Sequence, residues 1–428
     1  VNNRQDTPLS ISAYDRAKLN VFMISDYIDR HFSWSKGNPL YSLLRQQQDP
    51  NNSEEDNIII EALREAKTKI DADSFQHFEE ITKIVISKAN ELGIDISNAS
   101  TSIDFKDIAV KGDRVCLHDE KIPFRLKGKG SKRLISIALQ TALAENGGII
   151  LIDDIEQGLE PDRVQHLANT LKRNSVVQVF IATHSRDVLV ELKASDIFRV
   201  KKDASVLIPL SDSLQGCLRK NPEAFFSEKV IVCEGSTEIG ICRALNDYRI
   251  QNNKRNVAFL GVRFANGAGS QIIDYCYGFL NSGYQVCLFC DSDENRINDK
   301  KSELNTAGID VFDCEQGNAI ENQVFKDLPW NAIKELITYK TAELSETSVK
   351  DSVNNKCTES LGNNWQEVDS IAKREALGVT AKEKTSPWFK RIDHGEFMGG
   401  VIFRYFDQMK NEALKKQLEN LSNWIDNV

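Results

Sequence analysis

Four carboxylates in the second half of the chain are spaced for metal-assisted chemistry. In KVIVCEGSTE, Glu234 closes an apolar run and Glu238 follows four residues later. In a strand–turn–helix, that spacing lets both side chains face the strand edge. Roughly fifty residues on, YQVCLFCDSDE ends a second apolar run with Asp291 and Asp293, and Glu294 follows. Residues i and i+2 at a strand end point to the same side. Four hard oxygen donors from two strand ends suit Mg2+ or Mn2+ and not zinc. Carboxylates crowded this closely repel one another unless cations neutralise them.

The first half carries a second set. IILIDDIEQGLEP ends a buried strand at Asp153 and Asp154. Carboxylates at the C-terminal edge of a parallel strand are where phosphate-bound magnesium is usually held. VFIATHS then places His184 just beyond another apolar strand. Upstream, KGKGSKRLISIAL runs from a Gly/Lys loop into an apolar helix that opens with Gly130 and Ser131. A Ser and Gly at a helix N-terminus can cradle phosphate.

Positioning these groups takes more than one domain, and 428 residues allow two or three. With 41% hydrophobic and 27% charged residues the chain has the composition of a globular protein and is not globally disordered. No run approaches the ~18–20 apolar residues of a membrane span, and no signal peptide opens the chain. Nine cysteines, of which only Cys287 and Cys290 lie close together and sit inside an apolar run that reads as a strand, point to reduced thiols in the cytoplasm, not to a disulfide framework or a zinc site. The net charge of −9 argues against indiscriminate nucleic-acid binding and leaves room for a local basic groove.

Apolar residues near helical spacing (Leu19, Phe22, Met23, Tyr27 and Ile28) predict helix over residues 1–35, and a second helical pattern runs from about 56 to 95. After Gly112 short strands alternate with helices, and the alternation restarts after about 228, the signature of two parallel-sheet α/β units.

The order Gly130–Ser131, Asp153–Asp154, His184 resembles the signature, Walker B and switch-histidine motifs of ABC-type ATPases. The resemblance implies that Asp153 holds magnesium through water, that Asp154 polarises the attacking water, and that His184 senses the γ-phosphate. Gly130 and Ser131 would bind nucleotide on an opposing subunit. Two positions depart from the pattern, since Asp154 stands where Glu is usual and Lys129 where the signature serine is usual. No GxxxxGK[ST] loop occurs anywhere in the chain. The expectation is therefore an N-terminal lobe of roughly 100–200 residues ahead of Val1, without which ATP and its Mg2+ would not bind normally.

The second carboxylate set resembles the Toprim domain. Its position directly after the ATPase motifs, together with the junction RKNPEAFFSEKVIVCEGSTE, is similar to the overcoming-lysogenization-defect (OLD) family of ATP-dependent endonucleases. The resemblance covers about 120–325. It implies two Mg2+ or Mn2+ ions held by Glu234, Asp291 and Asp293, with Glu238 completing the second site and Glu321, in GNAIENQVF, as a further ligand. A basic residue is also implied, with Lys390 in SPWFKRID as the candidate and Arg391 as its substitute.

The expected fold is α/β: the C-terminal lobe of an ABC-type ATPase with a helical insertion, then a Toprim parallel-sheet domain with a helical tail. The expected domains are a helical arm at 1–110, the ATPase lobe at 111–200, a linker at 201–228, the Toprim core at 229–325 and a helical part completing it at 326–428. The expected function is a metal-dependent DNA endonuclease regulated by its ATPase, in anti-phage defence. Expected partners are DNA and a second copy of the chain, with a helicase or a retron reverse transcriptase and its DNA–RNA product implied by the family. The competing readings are a DNA-repair ATPase of the recombination-factor type and a nucleotide-regulated scaffold. Neither needs all four carboxylates.

Overall fold

The computed structural model describes residues 21–25, 28–32, 38–40, 42–43, 117–119, 122–144, 148–173, 177–201, 206–409 and 412–427, with isolated positions between 61 and 69. The helical pattern expected over 56–95 lies almost wholly outside the described residues. Two compact units make up the chain, 1–185 and 186–428.

In the first unit, β1 (Val21–Ile24), β2 (Ile149–Ile152) and β3 (Gln178–Ile181) form a parallel sheet in that spatial order. Helix α1 (Lys129–Ala144) precedes β2, and α2 (Pro161–Arg173) joins β2 to β3. Strand β1 corrects the helix expected over residues 1–35. VFMI is a short unbroken apolar run, and pairing it alongside β2 satisfies a ladder that a lone helical turn could not match.

The second unit holds a four-stranded, wholly parallel sheet. In chain order its strands are β4 (Lys229–Cys233), β5 (Val262–Asn266), β6 (Gln285–Cys290) and β7 (Asp310–Asp313), and their spatial order is β7–β6–β4–β5. Strand β4 is buried along its whole length, because its two faces enter different cores. Ile231 and Cys233 join one core with Ile241 and Leu245 of α3 (Ser236–Gln251). Val230 and Val232 join the other with Tyr275 and Phe279 of α4 (Ile272–Asn281). This alternation, repeated in β6 by Cys287 and Phe289 against Val286 and Leu288, is why the sheet needs helices on both sides. The chain leaves β4 toward β5 and then returns past β4 to β6. The switch point therefore falls between the C-terminal ends of β4 and β6, the place where doubly wound sheets bind ligands.

The segment expected to be a linker at 201–228 belongs to this second unit. Leu210, Leu214, Cys217, Leu218 and Phe225 pack in the same core as Val230 and Phe279. The helical tail also closes on the sheet unit, through α5 (Ile320–Asp327), α6 (Trp330–Leu344), α7 (Ile371–Ala381), α8 (Ile392–Arg404) and α9 (Ala413–Asp426). No helix among the described residues is long and apolar enough to cross a membrane.

Candidate functional site

The C-terminal ends of β4 and β6 deliver Glu234 and Asp291 to the switch point. Their backbones are laced together, since Glu234 N–H donates to the Phe289 carbonyl at 3.0 Å and Asp291 N–H donates to Glu234 Oε2 at 2.9 Å. Glu238 and Glu321 arrive differently, each from the first turn of a helix, α3 and α5, where the helix dipole favours negative charge. Glu238 Oε2 accepts from Gly235 N–H at 2.8 Å, and Asp291 Oδ1 accepts from Ile320 N–H at 2.7 Å. The second bond ties the end of β6 to the start of α5, so Glu321 is placed against Asp291 by the backbone itself.

Glu321 is fully buried, Glu238 is 2% exposed and Asp291 5%. Glu238 Oε1 and both oxygens of Glu321 are buried without a hydrogen-bond partner. Buried carboxylate oxygens of this kind cost free energy unless something satisfies them. Burial raises the pKa of all four groups. Asp291 is pushed up to about 9 by burial and then by Glu238, Glu321 and Glu234. Glu238 is pushed up to about 7 by burial and then by Glu321. Glu234 and Glu321 shift in the same direction, again chiefly through burial.

Lys390 supplies the positive charge. Its Nζ lies 3.8 Å from Glu321 Oε1. Burial works against its charge, but Glu321, Glu238, Asp291 and Glu234 together outweigh burial and hold its pKa above the ordinary lysine value. Arg391, the expected substitute, turns away and pairs with Asp393 at 2.7 Å. Position 390 is set by a close helix crossing. A Cβ on Gly240 of α3 would stand 2.5 Å from the Glu396 nitrogen and the Ile392 carbonyl oxygen of α8, so only glycine allows this approach. Thr237 Oγ1 donates to the Phe389 carbonyl at 2.9 Å, pinning the residue before Lys390 to α3. Behind it, buried Lys340 lies 3.1 Å from His394 Nδ1, which also meets the Trp388 carbonyl at 3.0 Å.

Asp293 sits at the rim, exposed, with Lys382 Nζ 3.4 Å from its Oδ2. Lys382 had no signal in the sequence, where it stands in the polar run AKEKTS. The Gly240–Gly395–Gly399 crossing did have one, the GxxxG spacing in HGEFMGG.

Among the described residues, no group of three or more His, Cys, Asp or Glu side chains stands arranged to hold a metal ion. Three oxygens of the set accept backbone N–H groups, and two lysines face it. The donor chemistry nonetheless fits a hard divalent cation: all-oxygen ligands, mostly buried, with three oxygens lacking hydrogen-bond partners. Glu234, Glu238, Asp291, Asp293 and Glu321 are the residues that could hold such an ion.

In the first unit, Asp153, Asp154 and His184 stand at the C-terminal edge of the three-stranded sheet. Asp153 N–H extends the ladder by donating to Ile24 O, and Ala182 N–H donates to Ile152 O at 2.8 Å. Asp154 has φ 46, in the left-handed region that Asp tolerates better than most residues. Two residues not foreseen from the sequence hold this edge. Buried Arg133 of α1 donates to the Ser25 and Asp154 carbonyls, both at 3.1 Å, and to that of Asp153. Glu156 accepts from Thr183 Oγ1 at 2.6 Å and from His184 N–H at 2.7 Å, which fixes the His184 backbone. Gly130 lies against the turn after Asp154, where an added Cβ would meet Gly158 O at 2.5 Å, and Ser131 follows it, exposed.

The first unit is thus a parallel α/β unit with acidic and imidazole groups at the C-terminal edge of its sheet. The second is a doubly wound α/β unit with a carboxylate–lysine cluster. Residues 13–191 match the family model described as "AAA domain, putative AbiEii toxin, Type IV TA system", so the first part of the chain is similar to an AAA-type, ATPase-like domain. No curated protein matches the chain. Among solved structures, the C-terminal region of the Burkholderia pseudomallei OLD protein is similar over 47% of this chain and 99% of its own length, at 14% identity and a TM-score of 0.26. A score that low does not establish a shared fold.

Proposed function

We propose that the chain is a metal-dependent DNA endonuclease governed by its ATPase-like domain and acting in defence against phage. The observation that carries this reading is the convergence of Glu234, Glu238, Asp291 and Glu321 at the switch point, with three buried oxygens unpartnered and Lys390 facing them. A purely structural cluster has no use for buried carboxyl oxygens left without hydrogen-bond partners, whereas metal-assisted phosphodiester hydrolysis does. Two divalent cations held there supply Lewis acidity toward the scissile phosphate. The protein's own part is to hold the carboxylates at fixed positions, and to aim the Lys390 ammonium at the charge that develops on the phosphate oxygens. The Toprim character of the sheet, the Mg2+ or Mn2+ requirement, ATP at the first unit, DNA as substrate and a homodimeric assembly all belong to this proposal. So do cytoplasmic localisation and a helicase or retron partner.

The test is cleavage of supercoiled plasmid by the full-length protein with Mn2+, Mg2+ or EDTA, with and without ATP. It is run for the wild type and for Asp154→Asn, which preserves the left-handed backbone at that position. Wild type should cut with either metal and not in EDTA. Asp154→Asn should lose ATP hydrolysis and the effect of ATP on cutting, while keeping Mn2+-dependent cleavage, because the two sets of residues lie in separate units. No cleavage by wild type under any condition refutes the nuclease reading. Unchanged ATP hydrolysis in Asp154→Asn refutes the role of that residue.

A further inference from the structure

Lys382 is a charged group beside the carboxylates whose position the nuclease reading leaves unexplained. It caps the C-terminus of α7, one residue past Ala381, with its N–H donating to the Gly378 carbonyl at 3.2 Å. Helix α7 crosses α5 at Gly378, where an added Cβ would stand 2.8 Å from Asn322 Nδ2 and 3.0 Å from Asn322 Cα. Asn322 is the neighbour of Glu321. The crossing that positions Glu321 therefore also positions Lys382, whose ammonium reaches Asp293 Oδ2 at 3.4 Å and is felt electrostatically by Glu321. The two lysines face different members of the set, Lys390 at Glu321 and Lys382 at Asp293.

We propose that Lys382 is a substrate-contacting cation held in reserve by Asp293. Without metal, its ammonium is the counter-charge of that carboxylate. A divalent cation that takes Asp293 as a ligand breaks the ion pair, and the freed ammonium, fixed at the end of α7, turns to a phosphate oxygen of the bound nucleic-acid backbone. Metal loading and substrate grip are thereby linked, because the residue that competes for the metal ligand is the one that then holds the phosphate. This inference rests on the nuclease reading and adds a backbone contact at the rim.

The test uses the full chain and three variants, Lys382→Met, Lys384→Met and Asp293→Asn. Mn2+ binding is followed by calorimetry, and binding of a short DNA duplex by fluorescence anisotropy. Lys382→Met should bind Mn2+ about two- to fivefold more tightly, as expected when a partly exposed competing ion pair is removed. With Ca2+ present it should bind the duplex about three- to tenfold more weakly, with a salt dependence shallower by about one phosphate contact. The neighbouring Lys384→Met should change neither. In EDTA, Asp293→Asn should bind the duplex more tightly than wild type, and the double variant Asp293→Asn/Lys382→Met should lose that gain. The comparison of Asp293→Asn with wild type decides the matter if Lys382→Met does not fold, and no gain in duplex affinity there overturns the inference. Unchanged or weaker Mn2+ binding in Lys382→Met overturns the inference, as does tighter Mn2+ binding with unchanged DNA affinity. If wild type binds Mn2+ and cuts DNA in those cases, the nuclease reading stands. If wild type binds no Mn2+, both fail together.

Discussion

Asp291→Asn is expected to abolish DNA cleavage and leave the protein folded. Two features of the structure set this result. The Asp291 carboxyl is buried among Glu238, Glu321 and Glu234, which together with burial keep it protonated in the metal-free fold near neutral pH, so an uncharged amide matches its state there. Its Oδ1 also accepts the Ile320 N–H at 2.7 Å, and Asn keeps an oxygen there. Asp291→Ala would orphan that buried donor, at a cost of about 1–3 kcal/mol, and would confuse loss of a ligand with loss of a helix start. In EDTA the Asn variant should melt at the wild-type temperature or about 2–4 °C above it. Glu234→Gln, which retains the acceptor for Asp291 N–H, and Asp293→Ala at the exposed rim should behave alike. Cleavage should fall at least about a hundredfold in each, the scale of losing one group that stabilises transition-state charge. Thermal melts and plasmid assays on the same preparations check this. Variants that unfold would mark the carboxylates as structural, and variants that still cut would remove them from the chemistry.

The second large effect is a pH dependence that divalent metal should erase. Asp291 at about 9 and Glu238 at about 7 both lie above the unfolded carboxylate range near 4, and Glu234 and Glu321 shift the same way. A raised carboxylate pKa means that the folded state holds protons the unfolded state has lost. Stability therefore falls as pH rises above about 4, and continues to fall until the folded groups ionise. Between about pH 5 and 8.5, melting temperature in EDTA should decline steadily. With saturating Mg2+ the decline should flatten, because the cation takes over the protons' role of neutralising the cluster. Taking the difference between the two curves cancels groups far from the metal, such as buried His31, whose lowered pKa gives the opposite slope near pH 6. Parallel curves would mean that the cluster does not bind the cation. A shallower EDTA slope in Asp291→Asn would assign the effect to this site.

The site was legible in the sequence where function and fold share a local rule. Apolar runs ending in Glu234, Asp291 and Asp153 announced strand ends of parallel sheets, because fully buried strands must be apolar on both faces. Glu321 and Lys390 entered through family resemblance, and the structure places Glu321 next to the Ile320 N–H that Asp291 accepts, with Lys390 against Glu321. Groups that depend on distant packing were not legible. Lys382 reaches Asp293 only because α7 crosses α5 at Gly378, and Arg133 reaches three backbone carbonyls only once α1 lies under β1 and β2. Strand β1 was read as helix because four apolar residues carry little periodicity of their own. Its pairing partner lies more than a hundred residues away.

The most direct measurement is anomalous diffraction from crystals of the protein soaked in Mn2+. Two peaks are expected within ligand distance of the Glu234, Glu238, Asp291, Asp293 and Glu321 oxygens, with Lys382 displaced from Asp293. An absence of peaks there, with Lys390 still against Glu321 and Lys382 still against Asp293, would contradict the assignment of this cluster as a metal-dependent nuclease centre.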